Sequence, residues 1–338
     1  PDVPVGEVAV SVFWLVFLMR LFVQGVPLRV LAQWCHVHPT TVLRWIVGLA
    51  LALWPQVNQW LVRSVKMKKA YVDEKWIKIR QQWYYWFVVL DADTGLPMYQ
   101  ELLASRSAAS VSWVVTQLRR LKQLPQVFIT DGLAAYQTVF SSLEGITHIL
   151  CRFHHQQGVT RWLKDHFPTT TDVSERKKAM KRVFQTTDKR TVRRRLARLK
   201  DRAVEWGIEG WIALTEKQLP RLLPSVGSRR LPPTSNTIER FFGTYNRFAK
   251  LRRGFHSVLS TKRELIVFLV VYVFSQQSNG KAPIEAILPE APRMPLYRIL
   301  NDPFAYLLEL SGGDADNLKN VKQIRGMAEF LTTEEAAA

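Results

Sequence analysis

Three acidic residues sit in three different kinds of setting in this chain. Asp73 lies inside the apolar-flanked run AYVDEKWIKIR, Asp131 ends the apolar run PQVFITDG, and Glu239 falls in TSNTIERFFGTYNRF, which reads as the first turn of a helix. An ionised carboxylate is costly to bury without a partner, so an acid inside a strand needs a reason. Two strands and a helix that each present one carboxylate point to a shared site for divalent metal. Carboxylates suit Mg²⁺, with Mn²⁺ as the alternative, and few protein ligands are needed because substrate and water complete the octahedra. Two such ions about 3.5–4 Å apart can activate an oxygen nucleophile, stabilise the leaving oxygen and neutralise charge at phosphorus. On that reading Asp73, rigidly placed on a strand, bridges both ions, while Asp131 and Glu239 hold one each. Each acid also has a plainer reading. Asp73 could pair with Lys75 or Lys78, and Glu74 beside it is an equal-looking carboxylate that strand alternation sends to the opposite face. Asp131 with Gly132 could form a turn, and Glu239 stands three residues after Asn236, the spacing of a capping box.

The balance of charge favours a polyanion as the partner of that site. The 338 residues carry a formal net charge of +19 and are 47% hydrophobic, which excludes a mainly disordered chain and fits a basic globular protein that binds nucleic acid. Residues 176–202 alone hold 13 Lys and Arg against 2 Asp, so over half of the net charge sits in one short segment. The two cysteines, Cys35 and Cys151, imply no disulfide framework and fit a reducing, cytoplasmic compartment. The apolar runs at residues 8–19 and 265–274 fall short of the roughly 20 residues of a membrane span and read as buried core helices, so no membrane partner is expected.

The elements that must position the acids can be read along the chain. Residues 26–47 (VPLRVLAQWCHVHPTTVLRWI) read as helix, tight turn, helix: a helix-turn-helix candidate that exposes Thr40, Thr41 and Arg44 to DNA. A basic linker helix follows over 56–69. Three strands are expected at 70–80, 83–91 and 96–103, then a helix at 107–123, a strand at 127–130, a short helix at 134–140 and a strand at 147–150. This order is ribonuclease-H-like, an α/β fold with a mixed sheet. Residues 155–235 lack strand periodicity and read as a basic, all-helical insertion in that core. The expected divisions are therefore 1–69 (helical, DNA-binding), 70–154 (core, first part), 155–235 (insertion), 236–280 (the Glu239 helix) and 281–338 (a tail).

Further basic and aromatic residues mark a DNA path. Arg240, Arg247, Lys250, Arg252 and Arg253 follow Glu239, and Arg193, Arg194 and Arg195 stand in the basic segment; all suit phosphate contacts. Trp162, Trp206 and Trp211 flank that segment and are candidates to stack an unpaired base.

Three blocks, in order, resemble a known family. YVDEKWIKIRQQWYYWFVVLDADTG, FITDGLAAY and SNTIERFFGTYNRFAKLRRGFHS are similar to the three blocks of bacterial insertion-sequence DDE transposases. The resemblance spans about residues 26–280. It implies a ribonuclease-H-like core with Asp73, Asp131 and Glu239 as catalytic and metal-binding triad, two metal ions, and cleavage and joining of transposon ends. It also implies double-stranded DNA partners (terminal inverted repeats and target), a homodimer, and a nucleoid-associated place in a bacterial or archaeal cell. The 108 positions between Asp131 and Glu239 depart from the shortest members and fit a helical insertion, as in the Mutator-like and hAT-like groups. Cys151-Arg-Phe-His154 matches the C-x-x-H signature of those groups, which places Cys151 and His154 behind the metal ligands. Two other readings share the fold: a metal-dependent nuclease or resolvase that cuts without joining, and a catalytically inactive, transposase-derived DNA-binding protein.

Overall fold

The computed structural model describes residues 5–167, 173–232, 235–250 and 254–310. Three helices precede the sheet: α1 (Val5–Val23), α2 (Leu28–Trp34) and α3 (Pro39–Ser64). The turn between α2 and α3 contains His36 at φ 53°, and the His38 ring accepts from the Thr40 N–H at the start of α3. The expected helix–turn–helix is therefore present as a shape. Its second helix, however, does not stop near residue 47. It runs on to Ser64 with Pro55 inside it and absorbs the expected linker helix, because Val42, Ile46, Ala50, Val57 and Leu61 make one continuous buried stripe.

The sheet follows directly. β1 (Lys69–Ile79) pairs antiparallel with β2 (Gln82–Asp91) across the turn Arg80-Gln81, where both residues have positive φ (45° and 71°). Two positive φ values suit a tight hairpin turn whose twist matches the strands. β2 reaches β3 (Pro97–Leu103) through a turn in which Asp91 Oδ2 accepts from the Thr94 N–H and hydroxyl, both at 2.8 Å, and Gly95 adopts φ 73°. After α4 (Ala108–Arg120), β4 (Val127–Thr130) runs parallel to β1; after α5 (Ala134–Phe140), β5 (Thr147–Leu150) runs parallel to β4. The strand order β3-β2-β1-β4-β5, with only the first three strands antiparallel, is the ribonuclease-H-like mixed sheet.

The chain then leaves the sheet for α6 (Arg152–His166), α7 (Val173–Arg182), α8 (Lys189–Asp201), α9 (Ala203–Trp206) and α10 (Glu209–Leu222). These helices enclose their own apolar cluster, with Leu163, Met180, Val192, Leu196, Trp206, Trp211 and Ile212 buried in it. Trp206 (7% exposed) and Trp211 (2%) are core residues of this unit, and neither is free to stack a base; Trp162 is half-buried and its ring lies on that of His166.

The chain returns as α11 (Asn236–Lys250) and α12 (Val258–Phe274), which pack on one face of the sheet. Ile238, Phe241, Phe242, Tyr245 and Phe248 recur at helical spacing on the buried side of α11. They meet the fully buried Trp86 of β2, whose ring centroid is 4.9 Å from Tyr245, 5.5 Å from Phe241 and 6.0 Å from Phe268 of α12. Each such aromatic burial is worth about 1.5–3 kcal/mol, so this face sets where α11, and hence Glu239, can lie.

Two further features join the N-terminal helices to the sheet. α3 packs along α12, and the buried Gln123 donates to the carbonyls of Val62 and Val65 (2.9 Å each) and accepts from the Met67 N–H. The helices and the sheet consequently share one apolar cluster. By length and composition α3 is the one helix among the described residues that could cross a membrane, but its buried stripe belongs to this core. Residues 281–310, expected as part of a tail, also fold onto the core through α13 (Pro295–Asn301) and α14 (Pro303–Leu310), with Ile284, Tyr297, Ile299 and Leu300 buried. Their anchors are few and come in short elements, which leaves no periodicity to read. The acidic end of the chain lies outside the described residues.

Candidate active site

Asp73 sits mid-way along β1, opposite Val88 of β2. Its neighbour Lys75 pairs with Trp86, which faces α11, so alternation turns Asp73 toward the same helix. Glu74 goes to the other face. There it is 8% exposed, accepts from the Tyr136 hydroxyl at 2.7 Å and pairs with Arg106 at 3.4 Å. The two adjacent acids thus point to opposite faces, as alternation requires, while their charges still act on each other.

β4 runs beside β1 with Tyr71 level with Ile129. Continuing that register by two residues brings Asp131 level with Asp73. Asp131 Oδ1 accepts from the Leu133 N–H at 3.0 Å, which shapes the turn into α5 and fixes the carboxylate. The turn reading of Asp131 and its place beside Asp73 are therefore both features of the same residue.

Glu239 arrives from 166 positions beyond Asp73. It occupies the first turn of α11, and its Oε1 lies 2.8 Å from His154 Nε2. The carboxylate is directed to that ring, which sits on the first turn of α6, three residues after Cys151 at the start of the helix. Single ligand atoms of Asp73, His154 and Glu239 all lie within 4.8 Å of one another. Asp131 is outside that tight group, yet its charge reaches it.

Behind these residues a second chain of contacts runs through the buried Ser235. Its N–H and its hydroxyl donate to Cys151 Sγ at 3.3 and 3.1 Å, and its Oγ lies 3.5 Å from His154 Nδ1. Ser235 carries no sequence signal for this role, because its partners stand 81 and 84 positions away. Arg106 likewise supports the site without any spacing motif, whereas Glu74 and Tyr136 stand inside the blocks YVDEKW and FITDGLAAY.

The electrostatics follow from this crowding. Burial, followed by the charges of Glu74 and Asp131, pushes the Asp73 carboxyl well above the usual carboxylate range. Burial also raises Glu74. Burial opposes charge on His154, but hydrogen bonding with Cys151 and Glu239 outweighs it and raises the imidazole to about 10. The same His154 bond lowers Glu239. A group of carboxylates in which one resists ionisation is a site short of positive charge. Two carboxylates and one imidazole at this separation have the donor chemistry of a divalent-metal site.

One cleft opens on the site, and a second lies along α11 with none of the site residues in its lining. The first, of about 470 Å³, opens against Asp131 and His154 and is walled by Arg106, Arg161, Leu150 and Trp162. The other, of about 910 Å³, runs along the outer side of α11 and presents Arg240, Arg247 and Lys281.

The remaining basic candidates fall in different places. Arg240, Arg247 and Lys250 are exposed on α11, and Arg252 and Arg253 lie outside the described residues. Arg193 and Arg194 are exposed on α8, whereas Arg195 donates to the carbonyls of Arg182 (2.8 Å) and Gln185 (2.9 Å) and clasps the end of α7 to α8. At the N-terminal end Arg44 and Thr40 are exposed and Thr41 is half-buried; the Thr40 hydroxyl is engaged with His38 at 2.8 Å.

Residues 17–229, more than half of the chain, match the transposase IS66 family. The chain belongs to this family. It is a DDE transposase, a polynucleotidyl transferase that acts on DNA and is of a class that uses divalent metal. The match includes Asp73, Asp131 and the C-x-x-H residues and ends before Glu239. No curated protein matches the transposase. Among solved structures it is similar to two forms of the HTLV-2 integrase catalytic core domain in complex with magnesium. The dimeric form is 16% identical, with 33% of this chain and 83% of that chain covered, at a TM-score of 0.23. The trimeric form is 14% identical, with 37% and 88% covered, at 0.24.

Proposed function

We propose that this IS66-family transposase cuts phosphodiester bonds at the ends of its element and joins the freed 3′-hydroxyl to target DNA, with Asp73, Asp131 and Glu239 as the residues that carry the chemistry. The supporting observation is the convergence of three segments far apart in sequence: a strand acid, the acid at the end of the neighbouring strand, and a helix acid held 2.8 Å from His154. The same residues would hold two divalent ions, Mg²⁺ or Mn²⁺. Bound there, such ions neutralise the phosphate and make the attacking hydroxyl more acidic.

The chain's own residues do the rest. β1 and β4 fix Asp73 and Asp131 on a rigid sheet, so that a scissile phosphate meets them without rearrangement. α11 delivers Glu239 from the opposite side, and the aromatic packing on Trp86 holds it there. Arg240 and Arg247 line the groove beside it and would hold the flanking backbone. α2 and α3 would anchor the element end, with Arg44 facing DNA. The enzyme acts as a homodimer, because two ends must be joined in one event.

The test is incubation with oligonucleotides bearing the element's terminal repeats, a target plasmid and Mg²⁺. Joined products that vanish in Asp73→Asn, with end binding retained, are expected. Cleavage without joining would favour the nuclease reading, and end binding without cleavage the inactive DNA-binding one.

A further inference from the structure

We infer that His154 is itself a ligand of the divalent metal, bonding through Nε2 beside Asp73 and Glu239, so that the site is a mixed nitrogen–oxygen site rather than one built of carboxylates alone. This rests on the proposed metal site and goes beyond it in naming an imidazole as donor and in the metal preference that follows. The set of three ligand atoms within 4.8 Å of one another consists of Asp73, His154 and Glu239; Asp131 is not in it. The position closest to the two carboxylates is therefore filled by a ring nitrogen, 2.8 Å from Glu239 Oε1.

The backbone that carries His154 is built to stay in place. It lies on the first turn of α6, and the preceding Cys151 N–H donates to the carbonyl of Thr130 at 2.8 Å. That carbonyl belongs to the residue before Asp131, so the helix start is tied to the strand that carries the second acid. The ring is oriented from behind as well. Histidines that bind metal nearly always donate their other ring N–H to an acceptor, which fixes the tautomer and aims the lone pair. Here Nδ1 faces Ser235 Oγ at 3.5 Å, and that hydroxyl donates onward to Cys151 Sγ at 3.1 Å. With Nδ1 as donor, a bound cation would replace the Nε2 proton that meets Glu239 and take up the lone pair beside the carboxylates. The C-x-x-H spacing has a physical purpose on this view: the cysteine sulfur ends the relay, and the histidine one helical turn later makes the bond.

A nitrogen donor alters which metal the site prefers. Mg²⁺ binds almost only oxygen and gives up water reluctantly, whereas Mn²⁺, the first of the transition-metal series, accepts a nitrogen ligand more readily. The competing role is a charged His154 that only positions Glu239 through a hydrogen bond. It predicts no metal–nitrogen bond and no special preference for Mn²⁺.

Electron spin-echo modulation on the full chain loaded with Mn²⁺ alone separates these. The expected result is ¹⁴N coupling from a directly bound imidazole, which changes to the ¹⁵N pattern when only histidine is ¹⁵N-labelled and disappears in His154→Gln. His154→Gln should also weaken Mn²⁺ binding about tenfold or more while weakening Mg²⁺ binding less. The labelling experiment uses the unmodified sequence and shows whether any of the seven histidines is bound; loss of that coupling in Asp73→Asn places it at this site even if His154→Gln folds poorly. Mn²⁺ bound in a manner that needs Asp73 and Glu239, but without histidine coupling, would overturn the inference and leave the proposed function standing. Absence of bound Mn²⁺, or binding indifferent to Asp73→Asn and Glu239→Gln, would overturn both.

Discussion

The sheet core and the helical insertion handle charge in opposite ways. In the core, the acids around the site are partly or wholly buried, and each has named partners: Glu74 with Tyr136 and Arg106, Glu239 with His154, Asp73 against the charges around it. In the insertion the charges are many, basic and mostly exposed, set on helices whose apolar side closes a separate cluster. The difference fits the two tasks proposed for these regions. Holding carboxylates at bonding distance from one metal needs a rigid frame and tolerates little displacement. Gripping a DNA backbone needs only cations at the surface, because the attraction is long-ranged and insensitive to sequence. The insertion also roots at α6, the helix that carries His154, so the two regions meet at the site itself.

The contrast predicts a ranking of effects. Asp73→Asn, Asp131→Asn or Glu239→Gln should each lower cleavage and joining by about 10³-fold or more while leaving DNA affinity close to that of the unmodified protein. A loss of affinity matching the loss of rate would show that these acids support folding rather than chemistry.

The next effect concerns independence of the two cores. Trp211→Ala should cost about 3–5 kcal/mol in the insertion cluster. Hydrogen exchange should then rise in α6–α10 and stay low in β1, β2 and β4. Loss of protection in both regions together would make them one cooperative unit.

A smaller effect separates neighbouring arginines. Arg193→Ala with Arg194→Ala should reduce the salt dependence of DNA binding by up to about two units without lowering the melting temperature. Arg195→Ala should lower the melting temperature and leave the salt slope nearly unchanged, because that side chain is tied to the carbonyls of Arg182 and Gln185. Equal behaviour of the two variants would erase the distinction.

The mildest test is acid. Burial, helped by the charge of Arg221, lowers His148 of β5 to about 3, and burial lowers His155 of α6 to about 4. Both stay neutral in the fold but take up a proton when unfolded below their ordinary value of 6.5. The unfolded chain therefore binds more protons across this window, so stability is full above 6.5 and declines as pH falls toward 4. Because the raised Asp73 and Glu74 carboxyls act in the opposite direction, the decline is read as the difference between melting curves of the unmodified protein and of its histidine variants from pH 7 to 4. Replacing His155 with Gln should lessen it in the insertion, with the decline that depends on His148 left in the sheet.

Much of this protein is legible from residue order alone. Alternation around Asp73, the turn at residues 91–95, the apolar period of α4 and the short run before Asp131 place the elements of the sheet close to their observed bounds, because each is a local pattern. The candidate acids are legible for the same reason: a carboxylate inside or at the end of an apolar run is conspicuous wherever it occurs. What sequence could not show is what meets across distance. That α3 continues past residue 47 depends on α12, with which it packs. That Trp206 and Trp211 are core residues, and that Arg195 is a clasp, depends on how five helices close on one another. That His154 meets Glu239, with Ser235 and Cys151 behind it, depends on the return of the chain after the whole insertion. Patterns within one element are dictated by period and turn chemistry, whereas contacts between elements are dictated by packing, and the site of this transposase is made of such contacts.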